Sequence, residues 1–414
     1  MKKSIAVVAL VLVAASLSGC GTTSSSSESG FKAGLITLHD DNSTYDKNFI
    51  DAFKLACTAK GVTPVIKSGI AESTACYDAA ADLADSGCKF VFADSFGHED
   101  HIIKAAKEFT DVQFSHATGT KAHTEKLANY HNAFASIYEG RYLAGVAAGL
   151  KLKAMTEADP TTSHKLGYVG AYTYAEVISG YTSYYLGVKS IVSDVTMDVS
   201  FTGSWYDETA EKSAAETLIN SGCSVISQHA DSWGAPTACE AAGVPDVTYN
   251  GSTVSRCPNT YLISSKVDWQ PYFEHCFDAI KNGTAIETDY TGELGSTLYN
   301  GSVALAEPGS KAAVADTETE LNKVAAKLRD GTLKVFDTST FTVTKADTDT
   351  NITVDAGKHL TSYLADVDTD ANYTPDTEAI KTANGITYFA ESESRSAPYF
   401  DVKIDGITLL NSKF

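Results

Sequence analysis

Short apolar runs alternate with helix-spaced segments twice over, and that alternation restricts the chain to parallel sheets wrapped by helices. In the first series A-G-L-I-T-L at 33–38 reads as a buried strand. Apolar residues at Phe49, Ile50, Phe53, Ala56 and Cys57 then follow helical spacing as far as Lys60, and Gly61 stops the helix. T-P-V-I-K, K-F-V-F-A and V-Q-F-S read as further strands, with helices over Cys76–Ser86 and His101–Phe109. A longer helical stretch over Phe134–Ala154 carries the small residues Gly140, Ala144, Gly145 and Ala148, which permit close packing. A second series follows. L-G-Y-V-G, T-M-D-V-S-F-T and C-S-V-I-S read as strands, and Ala175–Lys189, Glu208–Asn220 and Pro236–Ala242 as helices. D-V-T-Y-N and Y-L-I-S-S are two more strands, and the helix from Asp268 to Lys281 is placed to cross back to the first half.

The expected architecture is therefore α/β, with two doubly wound lobes joined by crossovers around a cleft. The first lobe spans 31–133 and is completed by part of 268–336; the second spans 134–267. In open parallel sheets, ligands sit beyond the carboxyl ends of the strands. The loops after Leu38, Ala93, Ser115, Gly170, Thr202, Ser227, Asn250 and Ser265 should then line the cleft. Further on, Thr317–Leu328 reads as a helix and L-K-V-F-D as a strand. Residues 338–414 are rich in Thr and Asp with short aromatic islands, and read as an irregular β-containing appendage.

The amino terminus gives an address. M-K-K precedes an apolar run from Ile5 to Leu17, too short to span a bilayer comfortably and laid out like a secretory signal. It ends in L-S-G-C, a lipobox, so residues 1–19 are expected to be removed and Cys20 to carry lipid. Residues 20–30, mostly Ser, Thr and Gly, suit a flexible tether between that anchor and a folded unit. The expected location is the extracytoplasmic face of the cell membrane, held by lipid alone.

The formal net charge of −20, with no Lys/Arg-rich run, argues against nucleic acid or an anionic membrane surface as partner. Seven cysteines remain beside Cys20, an odd number, and none are spaced C-x-x-C. A cysteine-built zinc site is not expected, and small apolar fillers are as good a reading as disulfides.

L-H-D-D-N-S-T-Y-D-K-N-F at 38–49 invites a metal reading. Counted from Asp40, however, the sixth position of a calcium loop would be Tyr45 where glycine is needed. H-E-D-H at 98–101 lacks the spacing of a zinc helix and has no evident third ligand. Nucleophile-elbow, P-loop and dinucleotide fingerprints are also missing. An enzyme, a metal or another cofactor is thus not expected, with a metal-dependent hydrolase only the remote alternative. Aromatic residues instead recur at the carboxyl ends of strands: Tyr45, Phe96, Tyr172, Trp205 and Trp269. Tyr45 and Trp205, one from each lobe, are placed to clamp a flat ring. Asp40, Asp41, Asp46, His116, Asp231, Asn250 and Lys266 stand beside them to read its edges.

The chain resembles the basic membrane protein family, purine-nucleoside-receptor-like lipoproteins that bind substrate for ABC importers. D-K-N-F-I-D-A-F, S-I-Y-E-G-R-Y-L-A-G-V-A-A-G-L, K-L-G-Y-V-G, G-S-W-Y-D-E-T-A-E-K-S-A-A and I-S-Q-H-A-D-S-W-G-A-P-T-A-C-E-A-A-G-V carry the resemblance, from the lipobox to about residue 336. It implies a type I periplasmic-binding-protein fold and a ligand such as a nucleoside, a nucleobase or a similar flat heterocycle. It also implies an ABC permease and ATPase as partners. The stacking aromatics fall on Tyr45 and Trp205. His116 or Thr118 takes the place of an acidic residue after the fourth strand. Asn250 or Gly251 takes a second acidic position, and Lys266 stands for a displaced lysine. A tethered sensor of the same fold, not coupled to transport, is the alternative function.

Overall fold

The computed structural model describes residues 30–346, 349–367 and 374–412. The signal segment 1–19, Cys20 and all but the last residue of the tether lie outside the described residues. The first series forms β1 (Lys32–Ile36), β2 (Thr63–Lys67), β3 (Cys88–Ala93), β4 (Gln113–Ala117) and β5 (Tyr130–Ala135). Between these run α1 (Thr44–Lys60), α2 (Thr74–Asp85), α3 (Glu99–Glu108) and the single turn α4 (Ala122–Glu125). The second series forms α5 (Ile137–Ala158), β6 (Lys165–Gly170), α6 (Ala175–Lys189), β7 (Thr196–Phe201) and α7 (Glu208–Asn220). It continues through β8 (Val225–His229), α8 (Gly234–Ala242), β9 (Asp246–Tyr249) and β10 (Tyr261–Val267).

Three connections cross between the lobes. β5 leads into α5. β10 leads into α9 (Gln270–Asn282), which returns to the first lobe with β11 (Asp289–Gly292). The chain then crosses to β12 (Val303–Leu305) and α10 (Thr317–Arg329). The first sheet has the order β11-β5-β4-β3-β1-β2 and is parallel throughout. The second begins β12-β10-β9-β8-β6-β7 and is parallel except at β12. Helices cover both faces, so central strands have no solvent side: Leu35, Ile36, Phe90, Val91 and Phe92 are fully buried.

Local signals set the elements that carry the cleft. Ser43 caps α1 by accepting the Asp46 N–H, and Gly61 ends that helix in the left-handed conformation at φ 62°. α5 and α6 meet backbone to backbone. A Cβ on Gly145 would lie 2.1 Å from the Tyr184 carbonyl, and one on Gly187 would lie 2.2 Å from the Tyr142 carbonyl. Only glycine fits at either point.

Two expectations need correction. Phe134 does not open the long helix; Phe134 and Ala135 finish β5, and α5 starts at Ile137. L-K-V-F-D is not a strand. Its one ladder contact is a bridge from Asp337 to Tyr388, while Phe336 turns inward to stack on Phe400 at 4.2 Å. The β-containing tail packs on the rest of the chain. It forms the short strands β13 (Ile352–Val354), β14 (Leu360–Ala365), β15 (Thr377–Glu378), β16 (Ile380–Ala383), β17 (Ile386–Phe389) and β18 (Ile407–Leu409). β18 extends the second sheet beside β7, with Ile407 opposite Met197. Phe341, Tyr363, Phe389, Phe400 and Ile404 join one hydrophobic core with the second lobe. The tail also reaches the first lobe: the Ser396 N–H donates to Asp289 Oδ2 at 3.0 Å and the Thr291 hydroxyl to the Ser392 carbonyl at 3.3 Å. All seven described cysteines are buried free thiols.

Candidate ligand-binding site

A small pocket lies between the lobes at the carboxyl ends of the strands. From the first lobe, the turn after β1 and the start of α1 contribute Leu38, Tyr45 and Asp46. The turns after β3 and β4 contribute Ser95, Phe96 and Thr118. From the second lobe come Glu176 at the start of α6, Trp205 after β7, His229 and Asp231 after β8, and Tyr249 at the end of β9.

The first-lobe wall is held by its own hydrogen bonds. Tyr45 donates its hydroxyl to the Asp94 carbonyl at 2.8 Å, which fixes the ring. Asp46 accepts the His39 N–H at 2.7 Å and the Ser43 hydroxyl at 2.5 Å. Burial opposes ionisation of Asp46, but these bonds and the His39 ring outweigh it, and its pKa lies below the ordinary value. Asp46 thus spends its oxygens on tying down its own loop. Beneath it, Asp94 is fully buried and accepts the Leu38 N–H at 3.2 Å. Burial first, and then the charge and carboxyl of Asp46, push Asp94 well above the carboxylate range.

The second-lobe wall pairs Glu176 with His229, 3.3 Å apart. Burial, followed by the nearby Arg141 charge, pushes His229 down to about 4, so the ring is neutral and Nε2–H donates to the carboxylate. Arg141 itself is buried, lies 3.5 Å over the Tyr249 ring and donates to the Gln228 carbonyl at 3.0 Å. Three carboxyl side chains line the pocket, and among the described residues no Lys or Arg does. Acceptors and ring faces dominate. Such a surface favours a flat ligand rich in N–H or O–H donors over a phosphate.

The expected site residues divide into four groups. Tyr45, Asp46, Phe96, Thr118, Trp205 and Asp231 come together on the pocket. Asp40 and Asp41 do not; both are exposed, and Asp40 closes a turn by accepting from Asn42. Asn250, Gly251 and Lys266 line a separate groove between α1 and the second lobe. His116, Tyr172 and Trp269 lie off the pocket for different reasons. His116 is buried behind the wall, its Nε2 2.7 Å from the Ser95 carbonyl. Tyr172 packs on Trp205, ring centroids 5.1 Å apart. Trp269 is a core residue of the first lobe, stacked on Phe49 at 4.4 Å. The sequence reading missed Leu38, Ser95, Glu176, His229 and Tyr249. The signal was available for most of them, since Ser95, His229 and Tyr249 stand at or just past strand ends. Among the described residues no group of three or more His, Cys, Asp or Glu is arranged to hold a metal ion, and no helix is long and apolar enough to cross a membrane.

Residues 22–330 match the family model described as ABC transporter substrate-binding protein PnrA-like (Bmp). A purine-binding protein of Brucella abortus is 34% identical over 203 residues, 49% of this chain and 54% of that one. A Haloferax volcanii protein provisionally named an ABC transporter glucose-binding protein is 32% identical over 194 residues, 47% of this chain and 46% of the other. The ABC transporter nucleoside-binding protein BmpA of Lactococcus lactis is 28% identical over 254 residues, 58% and 68% of the two chains. The chain thus spans about half the length of the first two of these relatives. Among solved structures, an ABC transporter solute-binding protein from Conexibacter woesei superposes with a TM-score of 0.60 at 20% identity, covering 74% of this chain and 98% of that one. The fold is accordingly the type I periplasmic-binding fold, and the chain belongs to the PnrA-like family of ABC transporter substrate-binding proteins.

Proposed function

We propose that this protein is the lipid-anchored receptor of an ABC importer, which closes its two lobes on a purine nucleoside or nucleobase and delivers it to a membrane permease. One observation carries the reading. The interlobe pocket sets the rings of Tyr45, Phe96, Trp205 and Tyr249 around carboxyl acceptors, with no cationic side chain among the described residues lining it. Ring faces suit a planar heterocycle, and acceptors suit the N–H groups on a purine edge. Both lobes supply these groups, so the ligand gains contacts only when the cleft closes. That differential affinity is what shifts the open–closed balance. The relatives named for purine and nucleoside binding support the ligand class. The lipobox ending at Cys20 supports attachment at the extracytoplasmic face.

Calorimetric titration of the purified protein with purine bases, nucleosides and glucose tests the ligand. Binding of a purine is the expected result. Binding of glucose alone, or of none of them by folded protein, would overturn it. Mass spectrometry of the mature amino terminus tests the anchor, with a lipidated Cys20 expected.

A further inference from the structure

We propose that residues 389–400 of the tail act as a brace across the hinge and hold the two lobes toward the closed arrangement. The tail lies beyond residues 22–330, which match the family model, and the brace does not depend on which ligand the cleft takes.

Lobes that open and close turn about their crossovers, so a segment fixed to one lobe and bonded to the other opposes the turn. Residues 389–400 are fixed to the second lobe, because Phe389, Tyr399 and Phe400 belong to its core. Between those rings the chain is tied into one shape. Glu391 accepts the N–H groups of Tyr399 and Phe400, and the Arg395 guanidinium donates to the carbonyls of Asp366, Ala397 and Pro398. Ser392 holds the left-handed conformation at φ 61°, which serine seldom adopts.

The same segment is bonded to β11, the edge strand of the first sheet, which lies in the chain between the second and third crossovers. The two bonds are those from the Ser396 N–H to Asp289 Oδ2 and from the Thr291 hydroxyl to the Ser392 carbonyl. His123 of α4 sets its Nε2 3.4 Å from the same Asp289 oxygen. The joint is dry: Ser392, Ser396 and the Asp289 side chain are 6%, 1% and 5% exposed. The first crossover is gripped as well. Phe336, stacked on Phe400, also stacks on Tyr138 in the first turn of α5, with centroids 5.4 Å apart. At that crossover the Ser136 N–H donates to the Gly292 carbonyl at the end of β11, at 2.8 Å.

Parting β11 from the tail takes an N–H donor from a buried carboxylate whose Oδ1 has no partner among the described residues. A buried acceptor left unmet is costly. A small opening therefore leaves Asp289 unmet, and a large one gives up both bonds to bring water in. Either cost falls on the open arrangement, so the brace shifts the balance toward closure.

The test is the distance between the lobes in protein without ligand. Spin labels go on Asp78→Cys in α2 and Ser213→Cys in α7, both exposed, in a Cys20→Ser chain whose other seven cysteines are buried. Asp289→Ala with Thr291→Val removes both bonds, and the ratio of long to short distances should rise about 10-fold. Thr291→Val alone keeps the shape of the side chain and should give a smaller rise, so the test stands even if the double variant does not fold. Thr338→Val removes a hydroxyl bond within the tail, to the Thr387 carbonyl, and should leave the distances as in wild type. Unchanged distances in the folded double variant, or in Thr291→Val where only that one folds, overturn the brace. A rise from Thr338→Val as large as that from the β11 variants also overturns it, because loosening of the tail in general would then be the cause.

Discussion

Phe96 of the first lobe stacks on Tyr174 of the second, with ring centroids 5.0 Å apart and planes 26° from parallel. Both rings stay partly in water, at 39% and 42% exposure. The pair spans the cleft without belonging to either core, so it acts on closure and not on folding. Aromatic pairs contribute about 0.5–1.5 kcal/mol beyond their area. Phe96→Ala and Tyr174→Ala should each weaken purine binding by roughly 2- to 10-fold, mostly through faster release. Stopped-flow release rates would show it, and the double variant should lose little more than either single one. Unchanged release rates in both single variants would remove the pair from closure.

Two tryptophans stand at similar places in the chain and should behave in opposite ways. Trp205 is half-buried on the pocket, and Trp269 is 2% exposed in a core with Phe49 and Phe92. Trp205→Ala should weaken ligand binding by at least about 1 kcal/mol and leave the denaturation midpoint nearly unchanged. Trp269→Ala should cost about 3–5 kcal/mol of stability as a large cavity opens. Calorimetry and urea denaturation on both variants decide the assignment. A Trp205→Ala protein that binds normally would take the clamp away from that residue.

The contrast shows what was legible beforehand. Strand–helix alternation exposes lobe order and the direction of each strand, and so the rim where a ligand must sit. It does not say which way a side chain turns once past a strand end. Trp269 and Trp205 both follow strands, yet Trp269 caps α9 and falls into the core. Glu176 could not be told from the other acids among 52, because a carboxylate in a helix's first turn is ordinary. Its role depends on His229, 53 positions away. The packing of the tail was unreadable for a related reason. Its strands span only two to six residues, too short for a clear period, and they pack on a lobe whose chain lies far upstream.

Glu391 should make the second lobe sensitive to pH. It is 1% exposed, and its Oε2 accepts the N–H groups of Tyr399 and Phe400 at 3.1 and 2.9 Å. Burial pushes its pKa from 4.5 up to about 7. Between those values the unfolded chain is ionised at this site while the folded chain keeps the proton. The native state then binds more protons, so this group's contribution to stability falls as pH rises from about 4.5 to about 7 and is level above that. The slope is at most about 1.4 kcal/mol per pH unit. Glu391→Gln keeps a carbonyl for the two N–H groups and removes the titration. Denaturation midpoints from about pH 5 to about pH 8 should fall less steeply in the variant than in wild type. Parallel profiles would show that Glu391 does not titrate on unfolding.

The tail makes the sharpest claim on cooperativity. Phe400 is fully buried, stacked on Phe336 at 4.2 Å and edge-on to Phe389 at 4.9 Å, in the core that also holds Tyr168, Tyr184 and Val199. β18 lies along β7, so the last described strand completes a sheet that begins far upstream, at Lys165. A module that merely hung on the lobe would unfold by itself when its own core was damaged. Here the core is shared, and Phe400→Ala should cost about 3–5 kcal/mol across the whole second lobe. Hydrogen exchange resolves the two cases. In the variant, amides of β7, α5 and α6 should lose protection together with those of the tail, as one cooperative unit. If exchange quickens only beyond residue 338 while β7 keeps its wild-type protection, the tail is a separate domain resting on the lobe, and the shared core contributes nothing to the lobe's stability.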